Sequence, residues 1–82
     1  MYDEPILSGI DWIKYYCNLF LNKEITVIDT ALNSPITGTL VTSDGIIYSL
    51  SVNGNIYIIY KKFVRYIDVD DQTNPTQLTI YI

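Results

Sequence analysis

The spacing of hydrophobic positions changes near residue 23. Before it, Ile10, Ile13, Cys17, Phe20 and Leu21 recur at intervals of three and four, which lines up one face of an α-helix. Ser8 and Asp11 stand three apart at the head of this stripe. There they have the form of a capping box, which would put the Ser8 hydroxyl on the Asp11 amide with the Asp11 carboxylate reaching back. Asn22 follows the stripe and suits the left-handed conformation that closes many helices. The pattern predicts one amphipathic helix over residues 9–21.

From Glu24 onward the chain is rich in β-branched and aromatic residues. Strands are predicted at 25–29, 36–42, 46–52, 56–61 and 65–69, with a sixth at 77–82, where the alternation resumes after a polar loop. The punctuation between them is specific. Asp44-Gly45 and Asn53-Gly54 are hairpin dipeptides, since both central positions of the favoured two-residue turn need positive φ. Gly38 lies inside the second strand, where a glycine marks a bend or a close approach of another backbone. A helix followed by five or six short meandering strands predicts a mostly β protein: a strongly bent antiparallel barrel of the SH3-like kind, in a single domain spanning 1–82. A flat sheet of these residues would leave adhesive Ile- and Tyr-rich edges open.

Composition narrows the picture. A chain of 82 residues buries only about 60–65% of its unfolded surface, so association with further copies is an expected source of stability. One cysteine excludes an internal disulfide, and Cys17 among apolar neighbours reads as a core residue of a reducing compartment. No basic, apolar leader opens the sequence, and no run reaches the roughly 20 apolar residues of a membrane span. A cytoplasmic protein without membrane contact is expected. The net charge of −4 argues against indiscriminate polyanion binding, yet Lys61, Lys62 and Arg65 fall within five residues and make a local positive patch.

The order of elements, with Gly38, Leu40 and Asp44 in place and Tyr60-Lys61-Lys62 before the fifth strand, resembles the Sm-like family, including its bacterial Hfq branch. The resemblance covers residues 8–69. It implies a small barrel with an N-terminal helix, assembled head to tail into a homo-oligomeric ring in which the fourth strand of one subunit pairs with the fifth of the next. Ile56, Ile58 and Tyr60, with Tyr66, Ile67 and Val69, are then the candidate subunit interface. It also implies single-stranded RNA as a partner, with Lys61, Lys62, Tyr60, Asp44, Ile46 and Tyr48 as candidate RNA-binding residues. The chain departs from the family where an aromatic and an Asn should follow the Asp. Those places hold Ile46 and Tyr48, or Ile47 and Ser49 if Gly45 is a bulge, in which case Leu50 and Val52 face the core.

Each candidate group carries a plainer alternative. Repeated around a ring, Lys61 and Lys62 make a circle of charge for phosphates; alone, they are a solvated turn that keeps an edge strand from aggregating. Tyr48, Tyr57, Tyr60 and Tyr66 offer stacking surfaces for bases or fill the core and interfaces. Asp44 orients a ligand contact or caps its own turn. Trp12 is expected to anchor the helix to the barrel or to a neighbouring subunit rather than to read a ligand. No histidine, nucleophile elbow, metal-binding spacing or phosphate loop points to catalysis, a metal or a cofactor, so an enzyme is not expected. Three roles stay open: an RNA-binding ring, a structural or protein-interaction ring without nucleic acid, and a monomeric SH3-like adaptor that takes a peptide.

Overall fold

The computed structural model describes residues 11–82. One helix, α1 (Trp12–Leu19), precedes β1 (Glu24–Ile28), β2 (Ile36–Ser43), β3 (Ile47–Val52), β4 (Asn55–Tyr60), a 3-10 turn (Lys61–Phe63), β5 (Tyr66–Val69) and β6 (Leu78–Tyr81). The protein is mostly β, and the expected strands appear within a residue or two of their predicted limits. The helix is shorter than predicted. Asp11 is its N-cap, accepting the Lys14 amide on Oδ1 at 3.0 Å, where the capping box had made it the third helical residue. The Ser8 half of that box and Ile10 lie outside the described residues. Beyond Leu19 the chain turns through Phe20 and Asn22, whose φ of 67° is the left-handed closure expected of it. Asn22 then donates to the Leu40 carbonyl at 2.6 Å, and Leu40 to that of Lys23 at 3.0 Å, which ties the helix end to β2.

The strands form one sheet in the order β4-β3-β2-β1-β6-β5. Four of its pairings are antiparallel, but β1 and β6 run parallel, with Val27 opposite Ile80, so the antiparallel expectation is corrected to a mixed sheet. Alternation along a strand records which face is apolar; it does not record the direction of a neighbour. The sheet bends around its core in a barrel-like way without closing, and β4 and β5 stand at its two ends.

Local chemistry sets the turns. Asn53 and Gly54 have φ of 51° and 85° and join β3 to β4 in two residues, with Val52 opposite Asn55. Gly38 pairs with Ile25 and meets β3 closely: a Cβ there would lie 2.7 Å from both the Ser51 carbonyl oxygen and Val52 Cγ2. Between β2 and β3 the register slips at Val41, so Leu40 faces Leu50 while Thr42 faces Ser49.

A single apolar cluster fills the interior. It takes Tyr16 and Cys17 from α1, the following Phe20, and inward residues of every strand, among them Val27, Leu40, Leu50, Ile59, Ile67 and Ile80. Of the predicted helical stripe, Cys17 and Phe20 are buried and Ile13 packs beside them, whereas Leu21 is exposed. Trp12 packs against the cluster and stacks on Tyr16 at 5.8 Å between ring centroids, as an anchoring residue does. Burial pushes the Cys17 thiol up to about 12, with the Asp11 charge adding to it, so the thiol is inert at neutral pH. Among the described residues no helix is long and apolar enough to cross a membrane.

Candidate functional site

Asp44 begins the site by organising its own turn. Its Oδ1 accepts the amides of Ile46 at 2.8 Å and Ile47 at 2.7 Å, and these two bonds hold its carboxyl below the ordinary carboxylate range. Gly45 between them takes φ of 90°. Asp44 is therefore the turn cap of its two proposed roles. The turn leaves Ile46 as an exposed side chain whose carbonyl accepts the Lys61 amide at 2.8 Å. That bond draws the end of β4 and the 3-10 turn alongside the β2–β3 turn.

The result is a cleft of about 510 Å³ lined by Gly45, Ile46, Tyr60, Lys61 and Lys62. Four of the six residues proposed for RNA contact, drawn from two separate stretches of chain, thus meet in one place. Their surroundings are mixed. The Lys61 ammonium lies 2.9 Å from Asp11 Oδ2, with both side chains about a third exposed (35% and 37%). Partial burial pushes the Asp11 carboxyl up, but the Lys61 ammonium and the Lys14 amide outweigh it and leave the group below its usual range. Lys62 forms no ion pair among the described residues, and its ammonium sits 5.2 Å from the centre of the Phe63 ring. Tyr60 meets the same ring edge-on at 6.2 Å. A lining that sets Ile46 and Tyr60 beside two lysines suits a ligand that carries both a flat ring and negative charge.

Tyr48 does not belong to this site. It is fully buried, pointing inward with Leu50, so it cannot stack on a ligand. Desolvation, followed by the nearby Cys17, Asp11 and Asp44, pushes its phenol well above the ordinary range, and its hydroxyl has no hydrogen-bond partner among the described residues. The register with Ile47 and Ser49 directed away from the core is the one adopted, although the strand irregularity that accompanies it is at Val41 and not at Gly45.

The proposed interface residues divide similarly. Ile56, Ile58 and Tyr60 stand on the outer face of β4, 61%, 52% and 47% exposed, beside Ser51, Ser49 and Ile47 of β3. Tyr66 is exposed and stacks on Tyr81 at 4.4 Å. Ile67 is corrected: it is fully buried, and Val69 packs partly against the core, because β5 turns that face inward against the interior. Ile67 can bring only its backbone to a seam, while Val69 keeps part of its side chain accessible.

A second groove of about 400 Å³ lies where the starts of β1 and β6 run side by side, and Lys23, Thr26, Thr76, Gln77 and Thr79 give it a polar lining. Sequence reasoning missed it because residues 26 and 79 become neighbours only through the parallel pairing. It missed the Asp11–Lys61 contact for the same reason: nothing local links residues fifty apart. Among the described residues, no three His, Cys, Asp or Glu side chains gather as a metal site would need. No family model, curated protein or solved structure matches the chain.

Proposed function

We propose that this chain is the subunit of an Sm-like homo-oligomeric ring that binds single-stranded RNA, with phosphates at Lys62 and Lys61 and bases against Ile46 and Tyr60. The observation that carries the proposal is the cleft, because it joins two lysines to an apolar wall at the end of β4. Strand β4 ends the sheet, and β5 ends it on the other side. Among the described residues neither pairs with a strand on its outer side, and pairing the two between copies gives a heterologous contact that closes into a ring. The exposed Ile56, Ile58 and Tyr60 then become covered, and every subunit brings a cleft to a seam.

A ring without nucleic acid is the second reading. Favouring it are the net charge of −4 and the engagement of Lys61 by Asp11, which leave Lys62 as the cleft's lysine that has no carboxylate partner among the described residues. Light scattering tests the shared part: a multiple of the protomer mass is expected, and Ile58→Lys should return the protein to protomers by placing a charge within the covered row. A monomeric wild type overturns both readings. Titrating labelled oligo-U at two salt concentrations separates them. Affinity should fall as salt rises and should drop in Lys62→Ala with assembly unchanged. Oligo-U binding that ignores Lys62→Ala rejects the site.

A further inference from the structure

Asp11 splits its carboxylate between two duties. Oδ1 caps α1 through the Lys14 amide at 3.0 Å, and Oδ2 holds the Lys61 ammonium at 2.9 Å. Lys61 also lines the cleft, so the cation that would meet an anion there already has an anion beside it. The cap fixes where Asp11 sits, which places a carboxylate next to Lys61 without ordering any further side chain. Both partners reach water, so the pair is of the exchangeable kind, shifting an equilibrium by at most about fivefold. The same helix brings a second cation. The Lys14 stem lies over Gly45, with Cδ, Cε and Nζ within 3.6–3.9 Å of where a Cβ at that glycine would be.

We propose that α1 regulates the cleft by competition: Asp11 occupies Lys61 in the unliganded protein, and a phosphodiester strand displaces it, gaining Lys61 beside Lys62 and Lys14. This rests on the RNA-binding reading and adds to it an intramolecular competitor for the ligand. Lys62, with no carboxylate to leave among the described residues, makes the first contact. Lys61 contributes less net affinity than its position suggests, because each phosphate it gains costs it Asp11. The arrangement weakens short or weakly charged ligands most. A strand that contacts several subunits displaces several carboxylates and keeps its advantage through multivalency.

The test is oligo-U titration of four proteins at one low salt concentration: wild type, Asp11→Asn, Lys61→Ala and the double variant. Asparagine caps a helix as well as aspartate, so Asp11→Asn keeps the Lys14 bond while removing the charge. Asp11→Ser does the same with a different side chain and serves as the second variant, circular dichroism confirming the fold of each. Affinity should rise in Asp11→Asn and in Asp11→Ser, by about 1.4- to fivefold, the range open to an exposed pair. The gain should vanish when Lys61→Ala is present, and Lys62→Ala should cost more affinity than Lys61→Ala. An unchanged or weaker Asp11→Asn overturns the competition, as does a gain that persists without Lys61, which would reflect overall charge alone. If wild type binds oligo-U through Lys62 but Asp11→Asn gains nothing, only this inference falls. If neither binds, the RNA reading falls and takes the inference with it.

Discussion

Gly38→Ala is the sharpest probe of how β2 crosses β3. The added methyl would lie 2.7 Å from the Ser51 carbonyl oxygen and 2.7 Å from Val52 Cγ2, with the Ser51 carbonyl carbon at 3.3 Å. The first contact is with backbone held in the β2–β3 ladder, and the second with a side chain that packs against the core. Ordinary carbon contacts need about 3.5–4.0 Å, so one strand must move by several tenths of an ångström. Overpacking of this kind costs about 1–3 kcal/mol. Opposing it, the loss of glycine's freedom in the unfolded chain contributes about 0.4–1 kcal/mol. The net expectation is a loss of about 1–2 kcal/mol. For a domain of this size that lowers Tm by about 4–16 °C, measured by thermal circular dichroism at matched protein concentration. Val52→Ala in the same background removes the side-chain contact but leaves the carbonyl. The double variant should therefore recover little of the loss attributable to Gly38→Ala. A Gly38→Ala protein as stable as wild type, or full rescue by Val52→Ala, would refute the claim that backbone approach dictates glycine here.

Two further outcomes follow from buried and hydrogen-bonded groups. Tyr48→Phe deletes a hydroxyl that is buried without a partner among the described residues, so it should raise stability by about 1 kcal/mol in urea denaturation; a loss of that size would mean the hydroxyl is satisfied. Asp70 accepts the hydroxyl and amide of Thr76 and the amide of Gln77, which depress its carboxyl to about 2 from an ordinary 3.8. A depressed carboxylate stabilises the fold above its unfolded value, and that contribution is lost as pH falls from about 4 toward 2. Asp70→Asn should accordingly be less stable at neutral pH and show a flatter acid limb than wild type; identical acid limbs in the two proteins would exclude a role for the β5–β6 loop in acid sensitivity.

The helix, the strands and their turns were legible along the chain because their causes are local. Positive φ at Asn53 and Gly54 makes a two-residue hairpin wherever it occurs, and Asn22 closes a helix by the same property. Gly38 announced a close approach, though not the atom it approaches. The local cluster of basic residues brought Lys61 and Lys62 forward with Tyr60 beside them, whereas Ile46 was a candidate only through the resemblance to the Sm-like pattern.

Facing was harder. Side chains alternate with a period of two, so one extra residue such as Val41 exchanges inside for outside, and Tyr48 passed from a proposed ligand contact to the core. Ile67 did the same on β5, where the alternation of a four-residue strand is too short to choose a face.

What the amino-acid order determined by itself was the sequence of elements and the chemistry of their junctions, which depend on neighbours a few residues apart. The parallel entry of β6 beside β1, the placing of β4 and β5 at the two ends of the strand order and the meeting of Asp11 with Lys61 were decided only in three dimensions. Those features arise when distant segments share one apolar interior, and burial is non-directional: it requires that a strand be covered without specifying by which partner.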